Sequence, residues 1–476
     1  MFWRDEVRAF SLALSGSNYV EMLRTVHGEG HPALWYLILR GGHDLFPYRE
    51  VLPVAGALIG IAAMAILTFA SPFRLLIIAV VLFSFYGAFE YVAMARNYGI
   101  SALVMFAIAA LYQRTRNSLW FGVLVALLCN TNVPSCMLAA GFMLFRFVEM
   151  FTEEQRANRR DWLVFGGNSL LALLGAYLCF ITVYPTFNDE AVSSNLQNID
   201  ALSFLRAVAD TKFSFNHLGF GSFGLPLDFV MLGVSCLGLI RKPAAIVAAL
   251  AALLGLRFFF FFVYPSYYRH EILYLIFLLS LYWTTADGAG GRWGNRSESE
   301  RLGQLQLFGS VFFIAMLMMQ AARLSGPFRA EIGGSPFSRI ADVGALLKRP
   351  DLSNAIVMGD PDTMLEPLAY YAGNPIWFLR QQRFGKVVHL AKNARRVLTP
   401  SDILADAKRL HESTGRPIVI LSALKLRSRG PTRVMFDDVT VMRPADVNAF
   451  LAATQPLARL RPSESDEEYD VYLYPR

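Results

Sequence analysis

The chain has 476 residues, 55% of them hydrophobic, with 38 Phe and a mean hydropathy of +0.39. That is more apolar side chain than one water-soluble core can bury, so the composition excludes an ordinary soluble globular protein and makes lipid the second solvent. The formal net charge of +7 does not indicate a nucleic-acid partner, because the basic residues are scattered among short loops between apolar runs instead of forming one stripe.

In chain order, Met1 leads directly into the polar Trp3-Arg4-Asp5-Glu6 with no apolar h-region of a signal peptide. The segment from His31 to Arg40 is short, apolar and carries Trp35 and Tyr36, which predicts an interfacial helix lying along the membrane surface. Apolar spans follow at about 51–70, 72–90, 96–113, 119–134, 136–150, 162–184, 226–240, 244–263, 268–285 and 305–322. Backbone amides in hydrocarbon need internal partners, so these non-alternating runs are read as helices. Cys129, Cys136, Cys179 and Cys236 fall in or beside these runs with neither disulfide-framework nor metal-ligand spacing, and are read as small core residues.

After 322 the pattern changes. Asn354 to Asp360 predicts a strand and turn, Thr363 to Tyr371 a helix, 401–413 a helix, Pro417 to Leu421 a strand, and Tyr469 to Tyr474 a last strand. The expected fold class is therefore an α-helical polytopic membrane protein of about ten spans with a C-terminal soluble α/β domain. It divides into 1–50 (an outer-face loop with the interfacial helix), 51–322 (transmembrane helices) and 323–476 (the α/β domain). The Gly/Arg/Ser-rich stretch 287–300 is read as a cytoplasmic linker.

Lys and Arg in alternate loops set the orientation. Arg74, Arg114, Arg116, Arg156, Arg159, Arg160, Arg241, Lys242, Arg292, Arg296 and Arg301 lie on one side, against Arg96, Arg206, Lys212 and Arg269 in the opposite inter-span loops. The first set is taken as cytoplasmic, which places the first fifty residues, the 185–225 loop and everything after 322 outside; the five arginines among the first fifty run against this count. An outward N-terminus without a preceding helix is hard to insert, so a further helix N-terminal to Met1 is expected in the native gene, the alternative being a genuinely N-out protein.

Four polar constellations map to that outer face. Asp5 and Glu6 are adjacent carboxylates, suited to a general base or a metal ligand, or simply to a solvated acidic turn. In His27-Gly28-Glu29-Gly30-His31-Pro32 the two histidines and Glu29 are substrate or metal candidates, although the glycines and Pro32 favour a loop with a helix N-terminus suited to a phosphate oxygen. Glu90-Tyr91 with Ala95-Arg96-Asn97-Tyr98 puts an arginine at headgroup level, either binding a lipid phosphate or anchoring at the interface. In Tyr264-Pro265-Ser266-Tyr267-Tyr268-Arg269-His270-Glu271, Arg269 and His270 either meet a leaving phosphate or snorkel. Asn130 and Asn132, at an outer helix end, either bond a substrate or cap a turn.

The order of these motifs resembles that of the GT-C glycosyltransferases, nearest to the bacterial relatives of protein O-mannosyltransferases and lipid A aminoarabinose transferases. The resemblance covers roughly residues 1–285: an Asp-Glu pair, His-Pro-x-Leu before an interfacial helix, Ala-Arg-x-Tyr opening a later span, then Arg-His before a late span. It implies an inverting transferase of the bacterial inner membrane, with its active site on the periplasmic side, that moves a sugar from a polyprenyl-phosphate donor to an extracytoplasmic acceptor. It implies Asp5 as the catalytic carboxylate with Glu6 beside it, and Arg96, Tyr98, Arg269 and His270 as contacts of the donor phosphate; His31 matches the His-Pro segment. A divalent cation is the candidate cofactor, membrane lipid the other partner, and the run Phe258 to Phe262 either a wall for the lipid tail or simply lipid-facing helix. The family's helix before the acidic pair is absent from this sequence, and the tail resembles no acceptor-binding domain, which leaves the acceptor open. The rival classes are a transporter or flippase of lipid-linked saccharides, which would carry ionisable groups in mid-membrane along a path, and a membrane scaffold without chemistry.

Overall fold

The computed structural model describes residues 2–152, 157–185, 200–219, 225–286, 296–424, 426, 430–435 and 438–475. Parts of the predicted 185–225 loop and 287–300 linker, with Arg156 and Arg292, lie outside the described residues. The chain falls into two compact units, one of Val26–Pro185 with Val192–Ser325 and one of Met1–Thr25 with Gly326–Arg476. The expected 1–50 domain is thereby divided: its first half belongs to the same unit as the C-terminal tail, its second half to the helices.

The helical unit begins with α3 (Leu34–Leu45), following α1 (Arg4–Ala13) and α2 (Tyr19–Thr25) of the other unit. The interfacial helix predicted to end at Arg40 runs on through Gly41-Gly42, where the missing side chain lets the next helix approach: a Cβ on Gly42 would stand 2.8 Å from Val51. Next come α4 (Val51–Ala70) and α5 (Leu75–Leu82), then a π-helical segment, Phe85–Ala93, bent by 50° from α5. Ser84 stabilises the bend by accepting from Gly87 N at 3.0 Å. The predicted span 72–90 is thus a broken one.

The unit continues with α6 (Tyr98–Thr115), α7 (Leu119–Cys129), α8 (Val133–Thr152), α9 (Arg159–Val183), α10 (Ala201–Ala209), α11 (Leu227–Ser235), α12 (Pro243–Phe262), α13 (Tyr268–Ala286) and α14 (Arg296–Arg323). Helix starts follow local chemistry: Asn158 and Asp161 form a capping box on α9, and Pro243 opens α12. Each of the ten apolar segments is helical. Among the described residues five helices are long and apolar enough to cross a membrane, six if the bent pair counts as one span.

Burial separates lipid-facing helices from the core. On α9, Leu163, Leu170, Leu173 and Leu174 are exposed, as are Leu58, Ile61 and Phe69 on α4, an arrangement stable only against hydrocarbon. In contrast every residue from Ile272 to Leu279 of α13 is fully buried. Backbones meet closely at Gly60, where a Cβ would lie 2.1 Å from the carbonyl of Tyr91; small residues permit such contact between membrane helices. The cysteines are free thiols in or beside this packing, as read from the sequence.

The other unit adds α15 (Ser325–Ile332), α16 (Ile340–Leu347), β1 (Ile356–Asp360), a 3-10 helix Asp362–Tyr370, β2 (Ile376–Phe378), β3 (Arg383–Phe384), β4 (Val397–Leu398), α17 (Pro400–Thr414), β5 (Ile418–Ser422), β6 (Gly430–Met435), β7 (Asp438–Met442), α18 (Pro444–Ala453), β8 (Gln455–Leu460) and β9 (Tyr469–Tyr474). The main sheet runs β3-β2-β1-β5-β9-β8, with β2, β1 and β5 parallel and antiparallel partners beyond them; a small sheet runs β4-β7-β6. β1 and β5 are buried on both faces, as central parallel strands are. Val357 and Val419 pack with Ile340, Val343 and Leu347 of α16, while Met358 and Ile420 pack with Ile403, Ala407 and Leu410 of α17. Thr399 and Asp402 cap α17, and Gly415, at φ 66°, ends it.

Two buried carboxyls make this unit sensitive to pH. Burial pushes Asp362 up to about 7 although the N–H groups of Leu379 and Arg380 favour its anion, and burial likewise pushes Glu467 up to about 7. A carboxyl raised in the folded state binds more protons there than in the unfolded chain. Its contribution is therefore complete below the unfolded value near 4 and is lost as pH rises through about 7. Comparing wild type with an Asp362→Asn/Glu467→Gln variant between pH 4 and 8, wild type is expected to lose, relative to the variant, on the order of a few kcal/mol in urea unfolding of the intact chain. A difference that stays flat across that range would refute this.

Candidate anion-binding site

Within the helical unit, α6 and α13 begin with the same kind of residue, Tyr98 and Tyr268, just after an arginine or just before one. Helix N-termini carry unpartnered N–H groups and a partial positive charge, which favours anions. Asn97 fixes the start of α6 by donating from Nδ2 to the carbonyl of Thr131 at 2.7 Å.

Between these termini Tyr98 Oη and His270 Nε2 are 2.8 Å apart. His270 Nδ1 accepts from Tyr267 N at 3.1 Å, so that nitrogen carries no proton and Nε2–H donates to Tyr98. With both nitrogens engaged and only 5% of the residue exposed, His270 is a neutral strut and not a cation offered to a phosphate. The rings of Phe260, Tyr264, Tyr267 and Tyr98 surround it at 5.5–6.2 Å.

The cations stand around that strut. Arg96 lies 5.6 Å from the Tyr98 ring centroid and Arg269 5.4 Å from that of Tyr267; both side chains are partly exposed. Arg269, Arg96, His31 and His217 are all within electrostatic reach of His270. Tyr91 Oη donates to the carbonyl of Arg269 at 3.4 Å, and the neighbouring Glu90 sits on the π-helical segment. Burial pushes the phenol of Tyr264 up to about 12, against the pull of Arg269 and Arg96, so it remains an O–H donor at neutral pH. The arrangement can hold an oxyanion with two guanidinium groups, phenolic donors and two helix ends. Three of the sequence-predicted donor contacts, Arg96, Tyr98 and Arg269, therefore stand around the His270 strut, while His31 Nδ1 bonds the carbonyl of Glu29 at 3.4 Å.

Other predicted residues are placed differently. Gly28 and Gly30 have φ of 84° and 80°, so His27 and His31 are not successive helical ligands; His27 Nδ1 donates to the carbonyl of Ile181 at 2.8 Å and Glu29 N to that of Val26. Among the described residues no group of three or more His, Cys, Asp or Glu stands close enough to hold a metal ion. Asn130 donates to the carbonyls of Ala126 and Gly175, and Asn132 bonds Ser101 Oγ and the N–H of Ser135, so both amides tie helices together. Of the Phe258–Phe262 run, Phe260 and Phe262 are buried and the other three are half-buried, and Phe204 of α10 packs on Phe258 and Phe262.

Sequence reasoning passed over three buried charges. Glu271 accepts from Asn216 N, His217 N, His217 Nδ1 and Ser266 Oγ at 2.6–3.0 Å. Asp228 accepts from the N–H groups of Leu218 and Gly219. Arg257 donates to the carbonyls of Ala207, Val208, Asp210 and Ser214. The only signal in the sequence was the presence of these charges inside or beside apolar runs.

Asp5 and Glu6 belong to the α/β unit, in the first turn of α1. They are not a solvated turn: Glu6 is fully buried, and the Asp5 side chain, 24% exposed, lies 3.3 Å from Arg4 Nε. The helix is clamped to the tail. Arg4 N donates to Glu467 and its guanidinium to Asp466, Arg8 pairs with Glu366 at 2.7 Å, and Ser11 meets Tyr370 at 2.7 Å.

No protein-family model matches the chain, and no curated protein matches it. Among solved structures it is similar to the crystal structure of ArnT from Cupriavidus metallidurans in the apo state, with a TM-score of 0.49 and 13% identity over 99% of this chain and 92% of that one. A likeness at this level establishes neither a reaction nor a set of site residues.

Proposed function

We propose that the chain is an inverting glycosyltransferase that takes a sugar from a polyprenyl-phosphate donor and passes it to an acceptor on the periplasmic side of the bacterial inner membrane. The observation that carries this reading is the pair of partly exposed guanidiniums, Arg96 and Arg269, set at the N-termini of two helices around the Tyr98–His270 strut. A polyprenyl phosphate leaves as an anion held at the lipid surface, and that is the charge such a cluster neutralises. Asp5 takes the proton of the acceptor nucleophile, the new bond forms at the anomeric carbon opposite the leaving oxygen, and the bond to phosphate breaks, which inverts the centre. The order of the Asp-Glu, His-Pro, Ala-Arg-x-Tyr and Arg-His motifs supports the same reading.

The test is affinity for polyprenyl phosphate itself, measured on the chain in nanodiscs, together with transfer from radiolabelled polyprenyl-phosphate sugars to membrane acceptors. Arg96→Ala and Arg269→Ala are each expected to weaken binding about tenfold or more, the scale of a lost charge-assisted hydrogen bond. Asn130→Ala serves as a control that leaves it unchanged. Unaltered affinity in both arginine variants, or no transfer from any donor of this class, overturns the proposal.

A further inference from the structure

The stretch 214–218 is folded against the head of α13 by one carboxylate. Phe215 turns the chain there at φ 51°, a costly conformation for a bulky residue, and packing of its buried ring on Phe229, Phe260 and Tyr274 offsets that cost. Two successive N–H groups, of Asn216 and His217, then reach Glu271, which is fully buried and also accepts from Ser266 Oγ. These three bonds anchor the loop. The carboxylate takes a fourth donor all the same, His217 Nδ1 at 2.9 Å.

That fourth bond fixes the tautomer of His217. With Nδ1–H given to Glu271, the neutral ring presents a lone pair at Nε2, and the protonated ring presents Nε2–H in front of a buried counter-charge. A carboxylate behind an imidazole in this way holds the ring for proton transfer at its other nitrogen. His217 differs here from His270, whose two nitrogens are both engaged inside the protein. The His217 side chain is 36% exposed, and among the described residues Nε2 makes no hydrogen bond.

The dyad borders the anion cluster. The His217 ring stacks on that of Tyr267, with centroids 6.0 Å apart and planes at 30°, and the Arg269 guanidinium lies 5.4 Å from the centroid of the same ring. Tyr267 is exposed, so an anion arriving at Arg269 meets this rim from outside. Arg323 of α14 donates to the carbonyl of His217 and adds a cation beside it. Anchoring accounts for the backbone bonds of the loop, but it leaves unexplained an ionisable ring aligned by a buried carboxylate with its outer nitrogen unspent.

We propose that His217 is the acid that protonates the leaving phosphate of the donor, through Nε2. The inference rests on the transferase reading and assigns a further group to that reaction. As the bond between the anomeric carbon and the phosphate oxygen breaks, its electron pair stays on oxygen. Nε2–H gives its proton to the phosphate and the imidazole becomes neutral, while the proton of the acceptor goes to Asp5. Water returns a proton to Nε2 before the next turnover.

Two measurements on the full chain in nanodiscs test this. Modification by diethyl pyrocarbonate, mapped by mass spectrometry, is expected at His217 and should be lost when polyprenyl phosphate is bound, with modification of His411 in α17 unchanged. His217→Asn keeps a donor to Glu271 in its Nδ2–H and has no group at the place of Nε2. Its transfer rate at saturating donor should fall about 10²–10⁴-fold, with affinity for polyprenyl phosphate reduced by no more than about tenfold, the share of one hydrogen bond. Equal modification of His217 with and without polyprenyl phosphate, or transfer at the wild-type rate in His217→Asn, overturns the assignment and leaves the transferase reading standing. Absence of transfer by the wild-type chain from every donor of the class overturns that reading, and this assignment with it.

Discussion

Asp5→Asn is expected to cut sugar transfer by about 10²–10⁴-fold, the range for a lost general base, while leaving the chain folded and its affinity for polyprenyl phosphate unchanged. Of the two adjacent carboxylates only Asp5 reaches the surface, since Glu6 is fully buried beneath α1. The amide keeps the size of the carboxylate and its place beside Arg4, so what disappears is the capacity to take a proton. Initial rates at saturating donor are the measurement, with donor affinity beside them. This pattern differs from that expected of Arg96→Ala and Arg269→Ala, which act on donor binding. Turnover at the wild-type rate in Asp5→Asn would remove Asp5 from the mechanism.

Arg257→Met is expected to release the segment 200–219 from the helical unit at a cost of roughly 3–5 kcal/mol. The guanidinium is fully buried and lies 4.5 Å from the Phe229 ring centroid. It is met by four carbonyl oxygens of one stretch of chain, in place of a carboxylate partner. Removing it leaves those carbonyls without a donor, each costing about 1–3 kcal/mol while it stays buried; the segment therefore detaches to reach water. Glu271 and Asp228 hold the following residues, 216–219, so the loss begins at α10 and spreads. Hydrogen exchange over 201–214 reads this directly, and Arg257→Lys should rescue it only in part, because an ammonium lacks the planar fork that reaches four acceptors. Unchanged protection in Arg257→Met would show that the segment is held by its aromatic contacts alone.

Arg257 also illustrates what could be read from the chain and what could not. A lone arginine inside an apolar run shows that something must satisfy it, since lipid cannot. Its acceptors lie 43–50 residues earlier, in a stretch with no pattern of its own. The same holds for His270. The Arg-His dipeptide at the head of α13 was visible, but the acceptor bond at Nδ1 and the tyrosine on Nε2, which make it a strut, depend on a turn and on a residue 172 positions away. The short strands β2, β3 and β4 escaped notice because two or three residues carry no periodicity.

By itself the sequence determined that this chain is helical wherever it is long and apolar, because hydrocarbon leaves a backbone no other way to bond, and that a strand-bearing unit follows, because β1 and β5 are short apolar runs between polar turns. Only the tertiary structure decided where the polar groups went. The acidic pair joined the tail through a bond between Arg4 and Glu467 that spans 463 positions, and the histidines of the first fifty residues were parted by two left-handed glycines. Helices and strands are written in neighbours along the chain; ion pairs and pockets are made by residues that meet only after the core has folded.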